Sequence, residues 1–298
     1  MTFIKLATFI LMLMIIATVV VQIQLRLSTS DEVKKNNIRM FSWWGIFGIS
    51  ILVVSLVGQI LFLAILVTSI WGTWEVTRLL KQQSRVSVWI TSILILSIYS
   101  LLWFSNQTPR VWWYLLPLIG AVLSSLITPS ATLAHAVNTA TIAAGFMCIL
   151  LLTKHATSLN YDARLILLLL LFLTSVNDIA QYCAGKLWGS RPLNVSISPN
   201  KTLEGALGGL IVTTLICALM LPTIVLAPWY WCAFIGLVTA SAGIVGDLNI
   251  SRLKRYAGTK NSGQLIPGHG GLLDRTDSLI MTAPVFGFIL VTSMERLA

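Results

Sequence analysis

Apolar runs of about 20 residues recur along this sequence, and nothing constrains its fold more. A helix rises about 1.5 Å per residue, so such a run crosses a hydrocarbon core roughly 30 Å thick. The chain reads as an all-α, polytopic transmembrane helical bundle. Ten spans are expected, at 4–25, 43–56, 59–77, 88–104, 112–128, 133–152, 164–184, 203–226, 229–247 and 278–295. Residues 43–72 could instead form one long helix, but Gly58-Gln59 offers a break. No polar segment exceeds roughly 30 residues, which leaves no room for a sizeable soluble domain.

Loop charges test the span count, because cytoplasmic loops favour Lys and Arg. With the N-terminus outside, fifteen of the twenty bases fall on the cytoplasmic side and five on the other. Merging the second and third spans would set the basic 26–42 and 78–87 loops on opposite sides, so the bias favours ten spans. It also puts the 185–202 and 249–277 loops on the cytoplasmic side. The net charge of +10 does not indicate nucleic acid, since the bases sit in short interhelical loops.

Acids are unevenly spread. The first 150 residues hold Asp31, Glu32 and Glu75, whereas 178–277 holds five. The expectation is one integral membrane domain over 1–298, with a scaffold half (1–152) and a catalytic half (153–298). The four cysteines, Cys148, Cys183, Cys217 and Cys232, lie in apolar runs without a CxxC pair and read as small buried side chains. The run Leu6 to Val21 is long and no small-residue cleavage site follows before Gln22, so it reads as a retained span. Tryptophans at span ends (Trp43, Trp44, Trp71, Trp74, Trp112, Trp113, Trp229, Trp231) read as an interfacial belt. Glu75 reads as an interfacial acid offsetting Arg78 at i,i+3, or else as a partner of the polar site. His135, three residues before Asn138, reads as a helix–helix hydrogen bond, and His155 as a loop residue.

Three polar stretches interrupt the apolar pattern. Asn177, Asp178, Gln181 and Tyr182 are placed on one face of an apolar helix. A carboxylate there costs a few kcal/mol to insert and should face a cavity and meet a cation, unless the group is a polar lock between helices. In Ser198-Pro199-Asn200-Lys201-Thr202-Leu203-Glu204-Gly205, Ser198 or Asn200 could cap the next helix, with Glu204 in its first turn. That makes either a phosphate cradle or a plain N-cap.

The third stretch, Gly243 to Asp277, carries three of the ten acids, five of the twenty bases and seven of the twenty glycines. Asp247 ends a span at the membrane face. Ser251, Lys254 and Arg255 follow at i+4, i+7 and i+8, on the same face if the helix continues. The turn Pro267-Gly268-His269-Gly270-Gly271 can present backbone N–H groups to an anion. Asp274 and Asp277 stand i,i+3 at the next helix start. Magnesium takes one or two carboxylates plus substrate phosphates, which suits Asp247 with Asp274 as a Mg2+ site.

The pattern S-x-x-K-R-x(4)-K-x-S-G-x-L-I-P-G-H-G-G-x-L-D-R-x-D, Ser251 to Asp277, closely resembles the signature of the phosphatidate cytidylyltransferases (CDP-diacylglycerol synthases). NDIAQY, GKLWG, SPNKTLEG, GD and WE at 74–75 are similar to words of that family. The resemblance is strong over about 165–290 and loose before it. It implies transfer of a cytidylyl group from CTP to phosphatidate with Mg2+, in a homodimer of the bacterial inner membrane whose polar funnel opens to the cytoplasm. It further implies metal at Asp247 and Asp274. Phosphate contacts would come from Lys201, Lys254, Arg255, Lys260 and the 268–271 loop, with Asp178 and Ser198 lining the site. The expected substrate contacts are Asn177, Asp178, Ser198, Lys201, Ser251, Gly268, His269, Gly270, Gly271 and Asp277. One departure stands out: Lys260 is followed by Asn261, where the signature has Asp. Asn keeps the shape and an acceptor oxygen but loses the charge. A weak or inactive paralogue, or one acting on another lipid phosphate, is the first alternative. A transporter using Asp178 and Asp247 as coupling sites is the second.

Overall fold

The structure is a computed structural model and describes residues 2–27, 44–80, 85–105, 110–126, 132–263, 265 and 270–297. The helices are α1 (Phe3–Leu27), α2 (Trp44–Ser55), α3 (Gln59–Leu79), α4 (Arg85–Phe104) and α5 (Leu116–Leu126), the last entered through a 3-10 turn at Val111–Leu115. Then come α6 (Thr132–Ser158) and α7 (Ala163–Trp188), a small hairpin of β1 (Pro192–Asn194) and β2 (Ser198–Thr202), and α8 (Leu203–Met220). The chain finishes with α9 (Trp229–Tyr256), the single turn α10 (Leu273–Thr276) and α11 (Leu279–Leu297). It is an all-α membrane bundle.

Among the described residues, six segments are long and apolar enough to cross a membrane: Gln59–Leu79, His135–Ser158, Ala163–Trp188, Leu203–Thr223, Trp229–Tyr256 and Leu273–Arg296. Four shorter apolar helices, Phe3–Val19, Trp44–Ser55, Trp89–Phe104 and Val111–Ser124, occupy the other expected spans. The break between α2 and α3 falls at Gly58, whose φ of 129° a side chain would resist. Several helix ends differ from expectation, two of them near the polar stretches. α7 runs past 184 to Trp188, and α9 runs through Asp247 to Tyr256, so Asp247 is inside a helix rather than at its end. α6 runs across the 152/153 boundary between the two expected halves.

α6, α7 and α11 form the middle of the bundle. About three-quarters of the spanning stretch is buried in α6 (72%) and α11 (78%), against 33% in α8, so α8 gives most of its surface to the surroundings. Phe146, Tyr114, Phe286, Leu167 and Leu169 fill the interior. α6 and α11 touch backbone to backbone, because a Cβ on Gly145 would lie 2.7 Å from the Ile280 carbonyl. Some buried polar side chains are paired across helices. His135 bonds Thr77 at 2.9 Å, linking α6 to α3 as expected, and the Tyr99 hydroxyl donates to Ser69 at 2.9 Å.

His155 is a correction: it is not in a loop but is buried in α6, near the Leu151 carbonyl (2.8 Å) and the Tyr114 hydroxyl (3.4 Å). Cys183 is another, since it is exposed while the other three cysteines are buried. Trp71, Trp74, Trp112, Trp113, Trp229 and Trp231 are exposed, in keeping with a belt at the interface; Trp43 lies outside the described residues.

Candidate active site

The site is organised on one stripe of α9. Asp247, Ser251 and Lys254 follow at i, i+4 and i+7, and the unbroken helix keeps them in line. Ser251 donates to Asp247 Oδ1 at 3.1 Å, and Lys201 donates to Asp247 Oδ2. The β hairpin delivers Lys201. Its tip is closed by Asn194 Oδ1, which accepts from the backbone of Ser196 and Ile197, both at 3.1 Å. Arg255 ties the hairpin to α9 by donating to the Ile197 carbonyl at 3.1 Å, and it also reaches the Thr259 carbonyl at 3.1 Å. In this arrangement the Arg255 guanidinium fastens two loops.

The cap of α8 departs from expectation. Ser198 and Asn200 lie in strand β2, and the capping oxygen is that of Thr202, which accepts from Gly205 N–H at 3.1 Å. Glu204 is in the first turn as read, and it folds back to accept from Ser190 Oγ (2.7 Å) and from the backbone of Ser190 and Arg191 (3.1 and 3.2 Å). The α7–β1 turn is thereby closed onto α8. The helix start is engaged by its own neighbours, which is how a plain cap behaves.

Asp274, on α10, occupies the other end of the stripe. Its Oδ1 accepts from Lys254 at 2.7 Å. Its Oδ2 accepts from Ser262 N–H at 2.8 Å and Gly271 N–H at 2.9 Å. Gly270 has φ 86°, and a Cβ there would fall 2.4 Å from Asp274 Oδ2, so the loop wraps directly on this carboxylate. The Gly271 N–H therefore serves Asp274 rather than standing free for an anion. Gly268 and His269 lie outside the described residues. Lys260 and Asn261 are exposed, and a Cβ on Gly270 would meet the Asn261 Cβ at 3.4 Å.

Asp178 accepts from Ser278 Oγ at 3.0 Å, joining α7 to the start of α11. It lies within electrostatic reach of Asp277 and Lys201, and Asp277 within reach of Lys254 and Lys201. Four acids and two lysines from α7, β2, α9 and the α10–α11 corner thus share one region. Burial presses the Lys201 ammonium below its ordinary range, and the Asp277 and Asp178 carboxylates pull the other way. Asn177 and Tyr182 do not join this group. Asn177 is fully buried, donates to the Ala240 carbonyl at 3.2 Å, and is wedged where a Cβ on Gly209 or Gly243 would collide with it. It acts as a lock among α7, α8 and α9. Tyr182 is 58% exposed on the outer face of α7, so the four polar residues do not share one face.

Glu75, from the first half of the chain, stands in the site. It is 2% exposed and accepts from Trp71 Nε1 (3.2 Å), Ser262 Oγ (2.7 Å) and the N–H groups of Leu272 (2.9 Å) and Leu273 (3.0 Å). Arg78 instead lies over the Trp74 ring, 5.6 Å from its centroid. Of the two readings of Glu75, partnership with the polar site is the one seen. The signal available in the sequence was an acid inside an otherwise apolar helix.

Among the described residues no three of His, Cys, Asp or Glu are grouped as protein-only ligands of a metal. Asp247 and Asp274 are the two carboxylates the sequence reading assigns to a metal. Each has both oxygens engaged, but Asp247, with its side chain 20% exposed, is more open than Asp274, at 6%. One or two carboxylates with a hydroxyl beside them fit Mg2+ completed by phosphates and water, and do not fit a metal caged by protein alone.

The cytidylyltransferase family model matches residues 37–293. The uncharacterized protein YnbB of Escherichia coli is 47% identical over 127 residues, 42% of either chain. The phosphatidate cytidylyltransferase of a Synechocystis strain is 44% identical over 122 residues, 38% of this chain and 39% of that one. The enzyme of that name from Staphylococcus aureus is 39% identical over 127 residues, 40% and 46% of the two chains. The matched stretch spans less than half the length of each of these relatives. The family match, by contrast, takes in α3 with Glu75 as well as the whole α7–α11 site, and on that breadth the chain belongs to the cytidylyltransferase family.

Proposed function

We propose that the protein transfers the cytidylyl group of CTP to phosphatidate, giving CDP-diacylglycerol and pyrophosphate. The observation that carries the reading is the pairing of Lys201 with Asp247 and Lys254 with Asp274 along one stripe of α9. Two cations ready to exchange a carboxylate for a phosphate, beside acids suited to Mg2+, are what a triphosphate needs. The Lys and Arg bias supports a site facing the cytoplasm, where CTP would enter.

An oxygen of the lipid phosphate attacks the α-phosphorus of CTP as the bond to the bridging oxygen of pyrophosphate breaks. The nucleophile needs no strong base, since the second phosphate pKa is about 6. Lys201 and Lys254 neutralise charge on the phosphates as it shifts to the leaving group. Ser251 and Lys201 hold Asp247 in place from either side. Asp247 and Asp274 would hold Mg2+, which would supply further neutralisation of phosphate charge. The acyl chains stay in lipid, because the stripe lies near the end of a spanning helix.

Asn261 favours a second reading, in which the acceptor is another lipid phosphate, because it stands against Gly270 on the Asp274 loop. Purified protein with Mg2+ and labelled CTP, offered phosphatidate and a panel of other lipid phosphomonoesters, separates the two. Label entering lipid with phosphatidate best supports the first. Label with another acceptor alone supports the second, and no label with any acceptor defeats both.

A further inference from the structure

Glu75 has no part in the chemistry above, yet it is buried and accepts four hydrogen bonds. We infer that Glu75 is a positioning residue for the transfer reaction: it braces Ser262 and the start of α10 so that Asp274 meets Lys254. The inference rests on the proposed reaction only in taking Asp274 to matter for turnover.

Each Glu75 oxygen accepts two bonds: Oε1 from Trp71 Nε1 and Leu272 N–H, Oε2 from Ser262 Oγ and Leu273 N–H. Three of these donors cannot accept, so an acceptor-only carboxylate suits the place and an amide would turn N–H against N–H. The Ser262 hydroxyl has one hydrogen and two candidate acceptors, Glu75 at 2.7 Å and Asp274 at 3.2 Å. The shorter contact takes it. Ser262 is thereby turned so that its backbone N–H reaches Asp274 at 2.8 Å. There is no spare room at Gly271: a Cβ there would lie 2.2 Å from Ser262 Oγ and 2.6 and 2.7 Å from the Glu75 oxygens.

Glu75 bonds its own helix once, Ser262 once, and the backbone at Leu272 and Leu273, where α10 begins, twice. The ties from α3 to its neighbours are made elsewhere, by Thr77 to His135 and by Ser69 to Tyr99. Removing the brace should therefore loosen the loop and leave the bundle standing.

The test uses full-length protein in lipid nanodiscs as wild type, E75Q, S262A and the double variant. In E75Q, hydrogen exchange at Leu272 and Leu273 should quicken about tenfold or more, with amides of α6 and α9 unchanged. The kcat for CTP-dependent lipid labelling should fall about tenfold or more while the KM for CTP moves less than about threefold. S262A should shift both in the same direction by less, and the double variant should be no worse than E75Q, because both act through one chain of bonds. Wild-type exchange at Leu272 and Leu273 in E75Q would overturn the inference. So would loosening spread equally through α6 and α9, or a loosened loop with unchanged kcat. Should E75Q fail to fold, S262A carries the test, and wild-type exchange at both amides in that variant is the contrary result. Should the wild type label no lipid, the proposed reaction fails and the exchange data still decide the brace.

Discussion

Asp247 and Asp274 each pair with a lysine, but they are held by different means. Asp274 takes two backbone N–H groups and a nearly buried ammonium, and its loop is wrapped on it. Asp247 takes a side-chain hydroxyl and an ammonium carried on a hairpin, and both partners of that ion pair keep about a fifth or more of their side-chain surface exposed (24% and 20%). Backbone donors cannot leave without unmaking the loop, whereas a lysine on a hairpin can turn to a phosphate. The comparison separates a carboxylate that builds the site from one that is available to it.

The largest effect should come from the available one. D247N should lower CTP-dependent turnover about a thousandfold, by removing a carboxylate that would hold Mg2+ against the triphosphate, and leave the melting temperature nearly unchanged. Loss of fold in D247N would erase the distinction. D274N comes next and should act on stability as well: it strands the Lys254 ammonium in a nearly buried place and gives up a loop anchor, costing about 3 kcal/mol. Thermal unfolding in detergent measures it, and an unchanged transition would break the comparison from the other side. R255A should cost about 1 kcal/mol or less, since its bonds to the Ile197 and Thr259 carbonyls are exposed, but should free the hairpin and weaken CTP binding a few-fold. N261D is the smallest and has the opposite sign. A restored charge beside Gly270 should raise turnover by about fivefold or less, and no gain would favour a different acceptor.

Much of this was legible in the chain. The period of 3.6 placed Ser251 and Lys254 in line with Asp247, and the apolar runs gave the helices with the Gly58 break. The end of α9 was misplaced because an apolar count stops at the first charge, while the helix continues as long as its charged side chains find partners. Asn177 looked like a cavity residue because a polar group in an apolar run is the same letter whether it meets water or a neighbouring backbone. Gly209 and Gly243, which let the helices close on it, lie far away in sequence. Lys201 and the Thr202 cap depended on a hairpin whose strands are too short to read by alternation. Glu75 was the hardest, because its loop partners are 187 to 198 positions away and its neighbour Arg78 offered a simpler local pairing.

The most direct measurement follows both products at once. Wild-type protein with Mg2+, phosphatidate and CTP labelled in the cytosine ring should pass label into lipid with one pyrophosphate released per label, and omission of phosphatidate should stop both. Folded wild-type protein that releases pyrophosphate without labelling lipid, or does neither, would contradict the account.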